Sequence, residues 1–414
     1  MDSENWYNVD NVGKVFLATH NKRDTRTIRV SATLNEPIEP QLLQQAVNKA
    51  AAARSVFQVR IRHGVFWHYI EPTNAQPEVS EEHDRPCPTL YGKNYRGTLH
   101  YSVTYYRDRI NLEIFHVLSD GTGAMDFLNI IVLEYLKLKY PEQLAEVFVG
   151  SGASMGELEQ DSFRQFSDKS AGEAPSGERA YHIRGVSLPY DQLQFIKVSI
   201  PSAPLIAAAK ATGVSLTSYI GAKLMTAIYH DMPVSKRGLP VTVSIPVNLR
   251  NYYSSDTSRN FFNSVSVSHV FSGEITTEEL AKEFDAQLKE NLKPENIHKR
   301  MAHFQRLERL VLLRMVPLFI KQPVIRFCAR QEAKKVSAVV SNLGIVRLPQ
   351  QLSEYIRDYE VLCSHSNLYI SLCTYGDHIT LGITNDKVST AVLRDFVRSI
   401  SDGDAVLQST EVIR

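Results

Sequence analysis

The sequence is poor in cysteine, and its four cysteines are far apart. Cys87, Cys328, Cys363 and Cys373 form no CxxC pair, and no Cys/His cluster has the spacing of a zinc site. This usage favours a reducing, cytoplasmic location without structural disulfides or metal. No uncharged run approaches the ~20 residues that a membrane-spanning helix needs. The acidic, polar first residues, MDSENWYNVDNVGK, do not predict a secretory signal.

Neither sign of charge dominates, because 46 basic residues face 45 acidic ones and leave a formal net charge of +1. This balance predicts no general attraction to nucleic acid or acidic membranes. No glycine-rich phosphate loop occurs, so nucleotide chemistry has no support in the sequence. At 414 residues the chain is longer than one core usually serves, which predicts two domains or a pseudo-repeated pair.

A stretch rich in Ser, Gly, Glu and Asp divides the chain between Gly150 and Gly185. Its composition is that of a linker or an exposed crossover, and an ordered surface excursion of one domain is the alternative. We therefore predict an N-terminal half at 1–150, a linker at 151–185 and a C-terminal half at 186–414. Strand and helix patterns alternate in both halves, and this favours an α/β fold with mixed sheets.

Several elements have clear patterns. Thr27 to Leu34 and Leu368 to Tyr375 are predicted strands, and Glu36 to Arg54 is an amphipathic helix. Residues 56–71 and 99–115 each predict a hairpin. Residue 116 directly follows the second hairpin.

A long helical region is predicted from Ile297 to Gln331, with a bend or break at Pro317. Its segment Leu310 to Phe327 is very apolar, although it carries the basic residues Arg314, Lys321 and Arg326. A membrane-surface helix is one interpretation of this segment. A buried or cleft-facing helix is favoured, because the polar residues are sparse and are not gathered on one face.

The stretch NLEIFHVLSDGTGAMDFL, residues 111–128, has the most chemical content. A predicted strand ends at His116, Asp120 and Gly121 follow, and an apolar helix continues from Met125. The unperturbed pKa of histidine suits proton transfer near neutral pH, and a strand end can point the imidazole into a cleft. A lone histidine at such a position is more often structural, so the interpretation depends on the rest of the chain.

Other segments agree with this motif in order and spacing. SIPVNLR at 244–250 is followed by NFFNS at 260–264, and VSNLG occurs at 340–344. Together with His116-x-x-x-Asp120-Gly121 they resemble the coenzyme A-dependent acyltransferase superfamily of chloramphenicol acetyltransferase. The most similar branch is that of alcohol acetyltransferases and peptide-synthetase condensation domains. The resemblance implies two similar domains around a central tunnel, where an acyl thioester and an acceptor meet at the histidine.

The resemblance also implies roles for the motif residues. His116 would be the general base that takes the proton from the acceptor. Asp120 would point away from His116 and pair with an arginine, for which Arg250 is the candidate; a solvated strand-end charge is the alternative for Arg250. Gly121 would allow a tight exit from strand to helix, since glycine tolerates positive φ, and a packing glycine is the alternative.

The reaction further needs a hydrogen-bond donor for the tetrahedral oxyanion. The sequence does not choose among several polar residues, each of which is equally a turn or strand group: Asn342, Ser366, Asn367, Ser371 and Thr374. Two features depart from the superfamily. Phe115 precedes His116 where many relatives carry a second histidine, and the DFGWG segment of the plant branch is absent.

We therefore expect an acyl-CoA-dependent acyltransferase with an alcohol acceptor favoured over an amine. The alternatives are a condensation-like enzyme that takes its acyl group from a phosphopantetheinyl carrier protein, and a non-catalytic binding module of the same fold. The expected co-substrate is acyl-CoA or carrier-bound phosphopantetheine, with no permanently bound cofactor and no metal. The expected acceptor is small and apolar, no nucleic acid is expected as a partner, and the expected oligomeric state is a monomer or weak dimer.

Overall fold

A computed structural model describes residues 6–83, 85–92, 95, 97–150, 153–166, 177–309, 315–401 and 409–413. The strands in these ranges are β1 (Tyr7–Asn8), β2 (Thr27–Leu34), β3 (Val59–His63), β4 (His68–Pro72), β5 (Val79–Glu81), β6 (Tyr101–Tyr106), β7 (Arg109–Phe115), β8 (Gln194–Pro201), β9 (Val241–Asn248), β10 (Phe262–His269), β11 (Ala338–Ile345), β12 (Ile356–Cys363), β13 (Leu368–Tyr375), β14 (His378–Asn385) and β15 (Ser409–Ile413). The helices are α1 (Asn11–Thr19), α2 (Pro40–Ala53), α3 (Gly121–Lys139), α4 (Pro141–Leu144), α5 (Met155–Glu159), α6 (Ser162–Gln165), α7 (Ser202–Thr212), α8 (Leu216–Asp231), α9 (Thr277–Asn291), α10 (Pro294–Arg309), α11 (Leu318–Ala333), α12 (Gln350–Ser353) and α13 (Ala391–Ile400).

The first sheet has five strands in the order β12-β2-β7-β6-β5. Its central strands β2 and β7 are antiparallel and buried along their whole length, because α2 and α3 cover one face of the sheet. The predicted hairpin of β6 and β7 is confirmed, with Arg107 in the left-handed region of the turn (φ 54°). This hairpin fixes where β7 ends, and so fixes the position of residue 116.

A second, smaller sheet of three antiparallel strands has the order β1-β4-β3. The β3–β4 hairpin is the one predicted at residues 56–71. Its inward side chains, among them Ile61 and Ile70, join the core of the first sheet, whereas Val65 and Phe66 in its turn are exposed.

The third sheet has seven strands in the order β10-β9-β11-β13-β14-β8-β15. Helices α7, α8, α9 and α13 enclose its core, and their starts follow local capping rules. Ser215 caps α8 by accepting from the Ser218 amide, and Thr276 forms a reciprocal capping box with Glu279 at the start of α9. Gly213 ends α7 in the left-handed conformation, at φ 78°. The alternation of strands and helices confirms the predicted mixed α/β class.

Strand β12 comes from the second half of the chain but pairs with β2 in the first sheet. Its free edge lies against the third sheet, where polar side chains satisfy its carbonyl groups. The hydroxyl of Ser371 donates to the carbonyl of Val361, and Thr384 Oγ1 lies 2.8 Å from the carbonyl oxygen of Cys363. An otherwise unpaired strand edge is thereby covered. The division of the chain into two halves by a linker at 151–185 stays a prediction. Strand β12 follows this segment in sequence but pairs with β2, which precedes it.

The favoured interpretation of the segment Leu310 to Phe327 is a buried or cleft-facing helix, and burial is wrong for the part that the structure describes. The predicted break at Pro317 is confirmed, since Pro317 is the residue before α11. Residues 310–314 lie outside the described ranges. Within α11, Phe319 is 76% exposed and Phe327 is 61% exposed, while Lys321 is buried. The sequence argument failed because it assumed that the apolar side chains of this helix face inward.

Gly382 tests how closely the two large sheets approach. A Cβ atom on this residue of β14 would overlap the carbonyl group of Val361 in β12. We expect Gly382→Ala to lower the free energy of unfolding by about 1–3 kcal/mol, because β12 must move away. Denaturant titration followed by circular dichroism measures the change.

The matched control is Gly238→Ala, since a Cβ on Gly238 meets no atom within 4 Å. Its free energy of unfolding should change by no more than about 0.5 kcal/mol. Equal stability of the two variants would contradict the close approach of the sheets at Gly382.

Candidate active site

His116 directly follows β7, and its backbone amide donates to the carbonyl oxygen of Arg26 at 2.8 Å. Its half-buried imidazole lies between two phenylalanine rings. The ring of Phe16 in α1 is 4.5 Å away and that of Phe262 in β10 is 5.5 Å away, measured between centroids. Segments from both halves of the chain therefore enclose one imidazole.

Hydrogen bonds fix the tautomer of His116. Its Nδ1 lies 2.9 Å from the carbonyl oxygen of Ser119, which can only accept, so Nδ1 carries the proton. Asn260 Oδ1 lies 3.1 Å from the same Nδ1. The orientation of this amide follows from its other end, where Nδ2 donates at 2.8 Å to the carbonyl oxygen of His116 itself. Nε2 has no hydrogen-bond partner among the described residues and is left as the proton acceptor.

The pKa of His116 is lowered from the usual histidine value. Burial is the largest cause, because it disfavours the charged imidazolium, and the positive charge of Arg26 acts in the same direction. The negative charge of Asp120 opposes both effects. The neutral form with a free Nε2 is therefore the dominant form at pH 7.

Asp120 makes no hydrogen bond to His116. It is the N-cap of α3, and its Oδ1 accepts from the Gly123 amide at 3.0 Å. Its Oδ2 accepts from the Phe261 amide at 2.9 Å and from Arg250 Nη1 at 2.7 Å. Two of these three donors belong to the second half of the chain.

Arg250 lies in the short 3₁₀ turn after β9, and its side chain is 12% exposed. Besides Asp120, its guanidinium donates to the carbonyl oxygens of Thr257, at 2.8 Å, and Arg259, at 2.7 Å. The arginine therefore holds the 257–261 segment as well as the carboxylate. That segment presents Asn260 to His116.

Gly121 and Gly123 lack a side chain for different structural reasons. The expectation of a positive φ at Gly121 is wrong, because Gly121 is the first residue of α3 and its φ is not in the left-handed region. Instead, the side chain of Leu343 lies 3.1 Å from where its Cβ would be, so the packing alternative holds. At Gly123 a Cβ would overlap the carbonyl oxygen of Ser258, which comes close to the start of α3.

The five oxyanion candidates lie in three places, and none of them hydrogen-bonds to His116 in the described part of the chain. Ser371 is buried at the sheet junction with its hydroxyl directed to Val361 and Gly382 carbonyls. Thr374 is half-buried near the end of β13. Both residues belong to β13, which lies against β12.

Asn342 lies near the start of α3, since its neighbour Leu343 packs on Gly121. Its amide Nδ2 lies 3.0 Å from Thr217 Oγ1, and its Oδ1 accepts from the Gly344 amide at 2.8 Å. Both ends of this amide are therefore occupied within the protein.

Ser366 and Asn367 belong to the turn between β12 and β13. The Ser366 amide lies 3.3 Å from Asp24 Oδ2, and the same oxygen lies 3.2 Å from Arg26 Nη2. The Asn367 amide donates to His365 Nδ1 at 3.1 Å. Arg26 therefore connects this turn to His116, whose amide bonds to the Arg26 carbonyl.

Sequence reasoning missed the roles of Asn260, Phe16 and Arg26. Asn260 lies in the NFFNS segment that contributes to the resemblance, but the sequence predicts no contact between this residue and His116. No sequence pattern predicts the contacts of Phe16 and Arg26 with His116, because both contacts arise from the packing of α1 and the loop that follows it. Arg26 is at φ 53°, a left-handed position that is uncommon for arginine and that no local pattern predicts.

No group of three or more His, Cys, Asp or Glu side chains in the described ranges could hold a metal ion. No described helix has the length and hydropathy of a membrane span. A surface cavity lined by Tyr7, Ser55, Gln58 and other residues shares no residue with the immediate contacts of His116. The central tunnel implied by the resemblance stays a prediction.

Comparisons with known proteins agree with this architecture. Residues 199–368 match the family model described as phthiocerol/phthiodiolone dimycocerosyl transferase C-terminus, which covers less than half of the chain. No curated protein sequence matches.

Solved structures match over almost the whole chain. Polyketide synthase associated protein 5 from Mycobacterium tuberculosis has 11% identity and a TM-score of 0.63, with 95% of this chain and 96% of that chain covered. Trichothecene 15-O-acetyltransferase from Fusarium sporotrichioides also has 11% identity and a TM-score of 0.63, covering 96% and 94%. The starter condensation domain of rhizomide synthetase, solved with C8-CoA, has 13% identity and a TM-score of 0.65, covering 98% of each chain. The predicted resemblance is confirmed, and the chain has the fold of these acyltransferases and condensation domains.

Proposed function

We propose that this protein is an acyltransferase that moves an acyl group from a thioester to an alcohol, with His116 as the general base. The observation that carries the proposal is the state of the imidazole. Its Nδ1–H is held by Ser119 and Asn260, its lowered pKa keeps it neutral, and Nε2 has no partner among the described residues. A neutral alcohol is a poor nucleophile at pH 7 unless such a base takes its proton.

In the proposed reaction, Nε2 takes the acceptor proton as the acceptor oxygen attacks the thioester carbonyl carbon. The carbonyl oxygen becomes the tetrahedral oxyanion. Collapse of this intermediate re-forms the carbonyl group and breaks the carbon–sulfur bond. The departing thiolate takes the proton back from Nε2, so the histidine returns to its starting state. Throughout the reaction Nδ1–H donates its hydrogen bond to the Ser119 carbonyl oxygen, and this bond keeps the imidazole ring oriented.

In this proposal Asp120 is a positioning residue. Its carboxylate bonds to Arg250, to the Phe261 amide and to the start of α3, and it makes no hydrogen bond to the imidazole of His116. It fixes the loop between β7 and α3 that carries Ser119. It also fixes the segment that carries Asn260.

The thioester is proposed to be acyl-CoA. The rhizomide condensation domain, a structural neighbour, was solved with C8-CoA. Other neighbours are condensation domains of peptide synthetases, such as the first condensation domain of the CDA synthetase. Acyl groups loaded on a carrier protein are therefore the second donor to test.

The decisive experiment is thiol release from acetyl-CoA, octanoyl-CoA and an acyl-loaded carrier protein, each with a panel of alcohols and amines. His116→Ala should lower the rate by about 10²–10⁴-fold, the usual contribution of a general base. The matched control is His230→Ala, because His230 is exposed and pairs with Asp395 at the surface. It should keep the wild-type rate. Absence of His116-dependent release with every donor would favour a binding module instead.

The stability of two variants separates positioning from catalysis. Asp120→Ala should lower the free energy of unfolding by about 3–5 kcal/mol, because it leaves a mostly buried guanidinium without its carboxylate. His116→Ala should lower it by only about 1 kcal/mol, the scale of a lost ring contact. Thermal and denaturant unfolding measure both. An Asp120→Ala protein as stable as the wild type would contradict the positioning role.

The pH dependence of kcat/KM follows from the pKa of His116. The active form is the neutral one, so the rate rises with pH through that pKa and is then constant. Since burial and Arg26 lower the pKa, the plateau should be reached below the pH expected for an ordinary histidine.

Replacing Arg26 by glutamine removes one cause of the lowered pKa. Arg26→Gln should therefore shift the rising limb to higher pH, while the plateau stays within a few-fold of the wild type. A profile that is unchanged by this substitution would show that the rising limb does not report His116.

A further inference from the structure

Helix α11 has its apolar and polar faces reversed relative to an ordinary surface helix. The side chains on its outward face are large and apolar, and their exposures are 76% for Phe319, 47% for Ile320, 57% for Val324 and 61% for Phe327. Their spacing places them on one side of the helix. Contiguous exposed apolar surface of this kind marks an interaction site.

The inward face of α11 is held by polar contacts. Lys321 is 7% exposed, and its Nζ donates to the carbonyl oxygen of Phe66 at 3.0 Å and lies 3.3 Å from the ring centroid of Trp67. At the border of this face the exposed Arg326 donates from Nε to the carbonyl oxygen of Ala18 in α1 at 2.9 Å. These contacts fix the rotation of the helix, so the apolar face is turned outward by specific bonds.

The β3–β4 hairpin extends the apolar surface. The amide of Leu318 donates to the carbonyl oxygen of Val65 at 2.9 Å, which joins the start of α11 to the hairpin turn. Val65 is 69% exposed and Phe66 is 44% exposed. We call Val65, Phe66 and the four outward residues of α11 the apolar ridge.

The surroundings of the apolar ridge are basic, although the whole chain is nearly neutral. The hairpin Val59–Pro72 and the segment Leu318–Lys335 together contain seven lysine and arginine residues against two glutamates. Arg326 and Arg330 are both exposed, and their helical positions flank Phe319 on one side of the ridge. An apolar stripe with a cationic border is typical of helices that lie in the plane of an anionic membrane surface.

We propose that the apolar ridge docks on the surface of an anionic lipid bilayer. A second copy of the chain is disfavoured, because a two-fold contact would place the two basic borders opposite each other. A bilayer needs only apolar area and a positive border. This surface acts independently of the proposed acyl transfer.

The test is co-sedimentation of the full chain with vesicles of phosphatidylcholine containing phosphatidylglycerol, compared with phosphatidylcholine alone. The wild type should bind the anionic vesicles, and added salt should weaken the binding. Phe319→Ser/Phe327→Ser should reduce the partition by about tenfold or more, since two exposed aromatic side chains are lost. These positions are exposed, so unfolding curves should match the wild type.

The matched control carries two equally exposed apolar residues away from the ridge, Phe148→Ser and Val234→Ser, which are 79% and 78% exposed. It should bind the vesicles like the wild type. So should His116→Ala, because docking does not depend on acyl transfer. Binding that is equal in the ridge variant and the control would overturn the proposal, as would a wild type that does not bind anionic vesicles. A concentration-dependent dimer that only the ridge variant loses, without vesicle binding, would identify a second copy as the occupant and equally overturn it.

Fluorescence gives a local readout. The chain has two tryptophans, so Trp6→Phe leaves Trp67 as a single probe next to Lys321 at the ridge. Vesicles with brominated acyl chains should quench this tryptophan in the Trp6→Phe protein. They should fail to do so when Phe319→Ser/Phe327→Ser is added. Unchanged quenching after that addition would place the contact elsewhere and overturn the proposal.

Discussion

The arrangement around His116 depends on the carboxylate of Asp120. One oxygen caps the start of α3, and the other accepts hydrogen bonds from the Arg250 guanidinium and the Phe261 amide. The start of α3 carries a partial positive charge, so three sources of positive potential meet one buried anion. Two sources belong to segments more than 120 residues away in sequence, and the anion therefore joins the two halves of the chain where the imidazole lies.

The hydrogen bonds of Asp120 and Arg250 affect His116 through the residues that contact its imidazole. Because Arg250 also binds the carbonyl groups of Thr257 and Arg259, the segment before β10 has little freedom, and Asn260 is set against the imidazole. Asn260 bonds to both the ring and the backbone of His116, which a hydroxyl or a carboxylate could not do with the same geometry. In the proposed reaction, a base oriented in this way needs no carboxylate partner. This separates the site from a Ser-His-Asp arrangement, where the acid contacts the imidazole.

The sequence was sufficient for elements whose burial pattern is local. Strands Thr27–Leu34 and Leu368–Tyr375 have the predicted bounds. It was insufficient where pairing is distant. The alternation in β12 predicts a strand but does not say that its partner is β2, more than 300 residues earlier. The contact of Asn260 with His116 spans 144 positions and has no local signature.

The same limit explains the error at α11. A helical pattern indicates that one face is apolar, but the direction of that face is decided by the surface on which the helix lies. Here the supporting surface offers carbonyl groups and an indole ring, which suit the buried Lys321 ammonium better than phenylalanine. A net charge of +1 likewise hid a basic region, because charge summed over 414 residues says nothing about its distribution.

Helix α1 connects the proposed docking surface with the proposed active site. On one side Phe16 packs on the imidazole of His116, and two residues later the Ala18 carbonyl accepts Arg326 from α11. Its own start is held by Asp10, which caps the helix and lies 3.3 Å from the amide Nδ2 of Asn260. Helix α1 and its cap thus contact the proposed base His116, the residue Asn260 that hydrogen-bonds to it, and the helix that carries the apolar ridge. If the ridge docks on a bilayer as proposed, one helix links the proposed base to the phase in which the proposed apolar acceptor is most concentrated.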